Sequence, residues 1–309
     1  MTSLSPYRGR FAPTPSGPLH MGSLLTAVLS WLDARAHNGA WLLRIDDLDT
    51  ARCSPQHTQC ILQQLRAHGL HWDGPVYYQS QALDHYADAV QQLCAQGHCF
   101  ACTCTRRALR SAAASGAFGP VYPGTCRSRV ISTATETTGA AAIRMRVPDG
   151  AVHVEDDWRG KQRYDWQHDI GDVVLRRRDG IYGYALACAV DEAQMAITHV
   201  VRGADLLAAT PVHWHVLHCL GHLPPRSRHG PLVLRNDGAK LSKQNHARAI
   251  DPTQATANLK QCLGWLGIPQ HLKRAGAAPE IVLQTAVEFW RQSNAALLLR
   301  ADVTSEGAQ

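Results

Sequence analysis

A turn rich in proline and glycine, placed between a strand pattern and a helix pattern, constrains the fold more than any other sequence feature. Residues 8–12 have a strand pattern, and residues 13–18 end it with prolines and a Ser-Gly pair. Apolar residues then recur at helical spacing over residues 22–37, and residues 41–45 form a second, compact strand pattern. This order predicts the start of a βαβ unit, and therefore a parallel sheet in an α/β fold.

The rest of the chain predicts a nucleotide-binding α/β domain that is interrupted by an insert and followed by helices. Further helices are predicted at residues 56–68, 83–96, 210–220, 253–266 and 281–299. Further strands are predicted at residues 141–147, 151–154 and 231–234, and loops at 111–119 and 132–139. We place the two halves of the domain at 1–96 and 181–246, the insert at 97–180 and a helical tail at 247–309.

Composition limits the class of protein without identifying its chemistry. The formal net charge of +6 suits a polyanionic partner such as RNA, although many basic proteins bind none. No apolar run approaches the ~20 residues of a membrane span, and residues 1–10 lack a signal peptide's apolar segment. We therefore expect a cytoplasmic protein, in which the cysteines stay reduced and the clustered ones favour metal binding over disulfides.

The turn has the residues of a phosphate-binding site. A helix that begins after a Pro/Gly turn directs backbone N–H groups and its positive dipole end at a phosphate. Gly17 and Gly22 allow a ligand close to the backbone, and His20 can donate hydrogen bonds to phosphate oxygens as negative charge develops. The alternative is a proline-rich turn with an incidental surface histidine.

A second basic motif follows near the end of the α/β domain. Lys240 and Lys243 lie three residues apart on a loop that begins at Gly238. Two flexible ammonium groups at this spacing can bind a triphosphate that moves during a reaction. The alternative is a solvated basic turn, which is common on protein surfaces.

Together the two motifs resemble the HIGH and KMSKS signatures of class I aminoacyl-tRNA synthetases. The sequence R-F-A-P-T-P-S-G at 10–17, L-R-I-D-D-L-D at 43–49 and V-R-G-A-D-L at 201–206 resemble the glutamyl/glutaminyl branch of that family. The resemblance covers nearly all of residues 8–246. Three positions depart from the family pattern: Ser23 replaces a histidine, Asp46 replaces a glutamate, and Cys188 stands where glutamyl-tRNA synthetases have an asparagine.

The resemblance implies a Rossmann-like catalytic domain and a role for each matched residue. It assigns glutamate binding to Arg10, Phe11, Ala12, Pro13, Thr14, Asp46, Tyr184 and Arg202. It assigns ATP binding to His20, Gly22, Lys240 and Lys243, with His20 and Lys243 as the catalytic pair. The arginines suit carboxylates and Asp46 suits an ammonium group. The alternatives are an Arg202–Asp205 ion pair, a core aromatic at Tyr184 and a helix cap at Asp46.

The insert carries a cysteine motif that thiolate chemistry connects to zinc. Cys102 and Cys104 form a C-x-C, and Tyr122 and Cys126 form a Y-x-x-x-C. The residues alone leave Cys99 or His98 possible as the fourth ligand, and they also allow reduced thiols without a metal. Resemblance to the glutamyl-Q tRNA(Asp) synthetases, a stand-alone branch of the family, implies one structural zinc ion held by Cys102, Cys104, Tyr122 and Cys126.

The acceptor of the activated amino acid is inferred from that same branch. Residues 247–309 are too few for an anticodon-reading domain of about 100–200 residues. The resemblance implies that L-glutamate is activated by ATP with Mg²⁺ and transferred to queuosine at the wobble position of tRNA(Asp), by a protein we expect to be a monomer. The alternatives are a truncated glutamyl-tRNA synthetase charging tRNA(Glu) at its 3′ end, a non-catalytic RNA- or partner-binding paralogue, and an enzyme for another small acid such as aspartate.

Overall fold

The computed structural model describes residues 6–129, 131, 141–241, 247–269, 271, 277–293, 299 and 302–304. The strands are β1 (Arg8–Phe11), β2 (Ala40–Ile45), β3 (Tyr77–Tyr78), β4 (Cys99–Cys102), β5 (Ala114–Gly116), β6 (Gly119–Val121), β7 (Ala142–Met145), β8 (Ala151–Asp156), β9 (Gly160–Asp165), β10 (Val173–Arg176), β11 (His199–Gly203), β12 (Arg226–Gly230), β13 (Val233–Leu234) and β14 (Val303–Thr304). The helices are α1 (Met21–Ala36), α2 (Pro55–Ala67), α3 (Leu83–Ala95), α4 (Arg106–Ala112), α5 (Tyr184–Gln194), α6 (Thr210–Cys219), α7 (Ala255–Trp265) and α8 (Pro279–Gln292).

The βαβ unit predicted from the first residues is present. Strands β1 and β2 pair in parallel, with α1 as the crossover between them. The apolar residues that predicted α1 are the ones it buries, and Leu24, Val28 and Leu32 are 0% exposed. The α/β class and the Rossmann-like arrangement are therefore confirmed, because one apolar face of α1 covers a parallel sheet.

The order of the strands reverses beside β1. Strands β2 and β3 extend the sheet on one side of β1. On the other side, Thr198 joins β1 to the strands that follow it: its backbone N–H donates to the Arg8 carbonyl, and its own carbonyl accepts from Arg226. Strands β11, β12, β8 and β9 continue from there. In open α/β sheets, ligands bind at such a reversal, outside the carboxyl ends of the strands.

The region between β4 and β10 is more ordered than its composition predicts. We expected a loop at residues 111–119, but α4 ends within it and β5 and β6 form an antiparallel hairpin there. The predicted loop 132–139 lies outside the described residues. Strands β4, β7 and β10 form an antiparallel sheet, while β8 pairs with β12 and so joins the sheet of β11 and β12. The domain boundaries proposed from the sequence stay a prediction.

Strand β12 was missed because its sequence is polar. Its residues R-S-R-H-G give no strand signal, yet all but the first are buried. Burial is possible because the side chains have charged partners: Arg228 contacts Asp33 and Asp157, and His229 contacts Asp156. Strand β13, which follows β12 in the chain, spans only Val233–Leu234 and is therefore shorter than the strand predicted at 231–234.

The C-terminal helices pack against α1, as the predicted helical tail requires. Trp290 of α8 lies in the same core cluster as α1, and its indole N–H donates to Asp33 at 3.4 Å. Helix α8 ends at Gln292, residues 294–298 of the helix predicted at 281–299 lie outside the described residues, and β14 pairs with β13. None of the helices in the described part of the chain is both long and apolar enough to cross a bilayer.

Asp33 is the buried anion that ties β1, β12 and α8 to α1. Its carboxylate accepts from the Tyr7 hydroxyl at 2.5 Å and from the Arg228 guanidinium. We expect Asp33→Ala to lower the free energy of unfolding by about 3 kcal/mol, because removing one partner leaves a buried cation partly unpaired. Urea denaturation measures this change. Arg52→Ala is the control, since it breaks an exposed pair and should change stability by less than about 1 kcal/mol. Equal losses in the two variants would contradict the assignment.

Candidate active site

A cavity of about 400 Å³ opens where the strand order reverses. All eight predicted glutamate-binding residues line it: Arg10, Phe11, Ala12, Pro13, Thr14, Asp46, Tyr184 and Arg202. Three predicted ATP-binding residues line it as well: His20, Gly22 and Lys240. Lys243 lies outside the described residues. We call this space the active cavity. Its volume is in the range of sites for small molecules.

The active cavity exists because the carboxyl ends of β1 and β11 lie side by side. The Arg10 guanidinium at the end of β1 donates to the Val201 carbonyl of β11 at 3.2 Å. Arg202 follows Val201 directly, so two arginines that are far apart in the sequence meet at one edge of the sheet. Both are almost fully buried, with 4% and 5% of their surface exposed.

Arg202 is a buried cation whose hydrogen bonds go to uncharged groups. Its Nε donates to His229 Nε2 at 2.9 Å, its Nη2 to Thr210 Oγ1 at 2.9 Å, and its Nη1 lies 3.0 Å from His213 Nδ1. Asp205, the alternative partner considered from the sequence, pairs with Lys240 instead. Among the residues that the structure describes, no carboxylate forms an ion pair with Arg202, so its positive charge stays available at the cavity wall.

The two histidines around Arg202 are held in the neutral form. Burial, reinforced by repulsion from Arg202, moves the pKa of His213 well below its usual value. Burial also lowers the pKa of His229, although its hydrogen bond to Asp156 opposes that shift. Asp156 Oδ2 lies 2.6 Å from His229 Nδ1, which fixes the tautomer that leaves Nε2 free to accept from Arg202.

Arg10 differs from Arg202 because its charge is already opposed. Glu192 Oε1 accepts from its Nε at 3.2 Å and from its Nη2 at 2.9 Å. The Glu192 carboxylate is 2% exposed, so this ion pair is dry. Of the two predicted carboxylate-binding arginines, Arg202 thus offers the stronger attraction to an incoming anion.

Asp46 is fixed by the arginine two residues before it. Arg44 Nε and Nη2 contact the two Asp46 oxygens at 2.6 and 3.2 Å, and Nη2 also lies 3.2 Å from Cys188 Sγ. Burial raises the pKa of Asp46, and Arg44 acts against that rise. The backbone N–H of Asp46 donates to the Pro13 carbonyl, which joins the acidic turn to the first motif. Asp46 is therefore held at the cavity, and it does not cap a helix.

The two signature motifs meet at the other end of the active cavity. His20 caps α1: its ring accepts from the Ser23 N–H, and the Ser23 hydroxyl accepts from the His20 N–H. A Cβ at Gly22 would lie 3.2 Å from the His20 ring and 3.4 Å from the Leu241 carbonyl. Glycine at this position therefore lets the lysine loop lie over the start of the helix, where N–H groups and cations converge.

Three cysteines of the insert lie close enough to share one metal ion. The sulfurs of Cys102, Cys104 and Cys126 all lie within 4.8 Å of one another, with Cys104 and Cys126 at 3.6 Å. Tyr122 Oη lies 3.5 Å from Cys102 Sγ and 3.8 Å from Cys104 Sγ. A tetrahedral ion with bonds of about 2.3 Å to sulfur would separate two sulfurs by about 3.8 Å. The four donors therefore fit a tetrahedral ion.

Of these donors, the Cys126 thiol has a lowered pKa, whereas burial raises the pKa of Cys104 and of Tyr122. Burial opposes ionisation of Cys126, but hydrogen bonds from Tyr122 and from the backbone of Thr103 lower its pKa to about 6. The other residues considered as a fourth ligand lie elsewhere. Cys99 begins β4 and belongs to a different core cluster from Cys102, while the His98 ring faces His215.

The residues that hold the two cavity arginines are the ones that sequence reasoning missed. They are Asp156, Glu192, Thr210, His213 and His229. They come from four different elements and carry no local motif, so only their meeting in space reveals them. Arg44 is different, because it lies within the motif at 43–49 and could have been found there.

Comparisons with known proteins give a consistent family. The family model described as tRNA synthetases class I (E and Q), catalytic domain, matches residues 7–276. A protein named glutamyl-Q tRNA(Asp) synthetase from Bordetella bronchiseptica is 45% identical over 93% of this chain and 89% of its own length. One of the same name from Thiobacillus denitrificans is 44% identical over 93% of this chain and 94% of its own length.

A solved structure supports the fold. The glutamate tRNA ligase from Elizabethkingia meningosepticum, crystallised in complex with its amino acid, superposes with a TM-score of 0.76. It is 24% identical, and the match covers 96% of this chain and 66% of that one. The chain therefore shares the fold of this ligase, in agreement with the Rossmann-like arrangement predicted from the two motifs.

The neutral histidines of the active cavity predict how stability depends on pH. The pKa of His213 is lower in the folded chain than the usual value of about 6.5, so below that pH only the unfolded chain takes up the proton. Stability is therefore full above pH ~6.5 and falls as the pH falls below it, by up to about 1.4 kcal/mol per pH unit for this group.

We expect His213→Asn to reduce this slope, because asparagine can accept from Arg202 without titrating. Urea unfolding at several values between pH ~7 and pH ~5 measures how the free energy of unfolding depends on pH. His168→Asn is the control, since the His168 side chain is 85% exposed. A slope that is unchanged in His213→Asn would contradict the prediction.

Proposed function

This chain belongs to the class I tRNA synthetases of the E and Q type, and on that premise we propose that it activates L-glutamate with ATP and transfers it to queuosine in tRNA(Asp). The observation that carries the proposal is the active cavity, where an arginine with uncharged partners, a fixed carboxylate and the N-terminus of α1 face the same space. The names of the similar proteins, which cover nearly the whole chain, support queuosine as the acceptor.

The first step would join glutamate to AMP. The side-chain carboxylate of glutamate would bind Arg202, and its ammonium group would bind Asp46. The α-carboxylate oxygen would then attack the α-phosphate of ATP, forming a glutamyl-adenylate and releasing pyrophosphate. His20 and the N–H groups at the start of α1 would stabilise the charge that develops on the phosphate.

The lysine motif would serve the outer phosphates. Lys240 lies at the active cavity beside Asp205, and we assign Lys243 to the same task from the motif. Mg²⁺ bound with ATP would neutralise phosphate charge. Catalysis would rest on orientation and charge stabilisation, without a covalent enzyme intermediate.

The second step would transfer the glutamyl group. A hydroxyl oxygen of queuosine attacks the carbonyl carbon of the mixed anhydride, the bond from that carbon to the phosphate oxygen breaks, and AMP leaves. The hydroxyl proton leaves with the departing phosphate or to water. Both tRNA and ATP are found in the cytoplasm, so we place the reaction there. We propose that the protein acts as a monomer.

The cysteine cluster would hold zinc in a structural role. Three sulfurs and one phenol oxygen at tetrahedral separations leave no open position for a substrate. Zinc would therefore connect the C-x-C at the end of β4 to the loop that carries Tyr122 and Cys126. We propose one ion per chain, within an insert that spans residues 97–180.

The acceptor is tested with labelled glutamate and two tRNA pools. We expect glutamate-dependent ATP–pyrophosphate exchange, and label on tRNA from normal cells but not on tRNA from cells that lack queuosine. The reason is that the hydroxyl attacked belongs to the modified base. Nuclease mapping of the labelled fragment locates the ester.

Each alternative function has its own outcome in this experiment. Equal labelling of queuosine-free tRNA would identify a synthetase that charges the 3′ end. No exchange with pure, metal-replete protein would favour a non-catalytic paralogue. ATP–pyrophosphate exchange that depends on aspartate and not on glutamate would identify aspartate as the substrate.

The ligand set is tested by measuring metal content. We expect Cys104→Ser and Tyr122→Phe each to lower zinc per chain after dialysis against a chelator, because each removes one of four donors. Cys99→Ser is the matched control, since it lies three residues from Cys102 on β4 and in another core cluster. Full zinc in Tyr122→Phe would remove Tyr122 from the set, and full zinc in Cys104→Ser would refute the site.

A further inference from the structure

A second cavity, of about 520 Å³, adjoins the active cavity. Its walls come from α4, the β5–β6 hairpin, β10 and the start of α5. Tyr184 lines both cavities and is 42% exposed, so the two spaces meet at this residue. We call this space the second cavity. A group bound there would lie beside Tyr184, which also faces the active cavity.

The second cavity lies in a strongly basic part of the chain. Residues 97–130 contain five arginines and no acidic residue, although the whole chain has a net charge of only +6. Helix α4 carries three of these arginines and buries none of its residues. A core-forming role does not explain such a helix, whereas contact with a polyanion does.

Four arginines line the second cavity: Arg106, Arg110, Arg144 and Arg177. The Nε atoms of Arg144 and Arg177 are buried without a hydrogen-bond partner in the part of the chain that the structure describes. Arg144 as a whole is 9% exposed. A buried N–H without an acceptor is unfavourable, so these donors favour an acceptor supplied by a ligand.

The carboxylates near the second cavity leave much of this positive charge available. Asp172 lines it but is paired with Arg127 at 3.1 Å. Asp179 contacts Arg177 at 2.5 Å and Arg106 at 3.8 Å, and Asp49 lies 3.9 Å from Arg177, in pairs that are partly or largely exposed. Exposed pairs of this kind contribute little and yield to a phosphate.

The second cavity also has aromatic walls. Phe118 and Tyr184 line it together with the arginines, while the third lining aromatic, Tyr122, is only 7% exposed and lies under the Arg144 guanidinium. Proteins that bind single-stranded RNA combine cations for the phosphates with aromatic rings on which bases stack. The combination therefore favours a nucleotide over a free inorganic anion.

We propose that the second cavity receives the acceptor nucleotide of the tRNA and its flanking phosphates, with Arg106 and Arg110 of α4 as the phosphate contacts. This inference rests on the proposed function, since that function requires an RNA hydroxyl at the active cavity. It specifies the surface through which the anticodon loop enters. The base packs on the aromatic wall, and its hydroxyl extends past Tyr184 to the adenylate.

Helix α4 supplies a matched control for this proposal. Arg107 has the same charge, the same helix and the same exposure as its neighbours, but it does not line the second cavity. The test compares the double variant Arg106→Ala/Arg110→Ala with Arg107→Ala. Both are expected to fold, because no residue of α4 is buried, and glutamate-dependent exchange verifies that the active cavity is intact.

We expect the double variant to keep wild-type exchange and to lose tenfold or more in kcat/KM for transfer to queuosine-containing tRNA(Asp). Its affinity for a synthetic anticodon stem–loop should depend less on salt, with the slope reduced by about 0.7 for each phosphate that the variant no longer neutralises. Arg107→Ala should match the wild type in all three measurements.

Three results would overturn the proposal. The first is wild-type transfer and an unchanged salt slope in the double variant. The second is an equal loss in Arg107→Ala, which would show general attraction without a specific cavity. The third is a higher KM for pyrophosphate in exchange, which would assign these arginines to a small anion. Absence of exchange in the wild type would instead refute the proposed function, while stem–loop binding still tests the surface.

Discussion

The active cavity depends on a buried arginine that has neutral neighbours. A guanidinium taken out of water is stable only if its donors find acceptors, and Arg202 finds three. A carboxylate in their place would satisfy the same N–H groups and cancel the charge. The Asp156–His229 pair avoids this, because Asp156 acts on Arg202 only through a neutral ring. These hydrogen bonds fix the position of the Arg202 guanidinium, and its positive charge stays available to bind an anionic substrate.

This arrangement requires that the two halves of the domain meet at β1 and β11. The strand ends bring Arg10 and Arg202 together, and the short connection through Thr198 sets their spacing. Arg10 pairs with Glu192 of α5, the same helix whose first residue, Tyr184, lines both the active cavity and the second cavity. Helix α5 therefore neutralises the charge of Arg10 through Glu192, and it also lines the proposed path of the second substrate through Tyr184. Chemistry and access to it are coupled through one rigid element.

The features of the fold and of the active cavity that depend on neighbouring residues could be predicted from the sequence, whereas those that depend on residues distant in the sequence could not. Strand β1, helix α1 and the lysine motif carry local signals, so the α/β class and the cavity-lining residues could be predicted. Strand β12 could not, because R-S-R-H-G is buried only through partners such as Asp33 and Asp156, which are distant in the sequence. The neutral shell of Arg202 was hidden for the same reason. Both the polar strand β12 and the buried Arg202 are stabilised by contacts between residues that are distant in the sequence. The periodicity of apolar residues along the chain does not predict such contacts.

The two departures from the family pattern at the amino-acid end are connected by one side chain. Arg44 contacts Asp46 and Cys188 at once, and Asp191 lies 3.4 Å from its Nε. Burial raises the pKa of the Cys188 thiol to about 12, so it meets Arg44 as a neutral acceptor. A glutamate at 46 would be longer by one C–C bond, about 1.5 Å, and could not keep both contacts with Arg44 unless the guanidinium moved. Arg44 is itself held by Asp191, which accepts from the hydroxyls of Tyr77 and Tyr86. The shorter carboxylate and the small thiol therefore fit one fixed guanidinium, and the two substitutions are best understood as a single adaptation of the glutamate site.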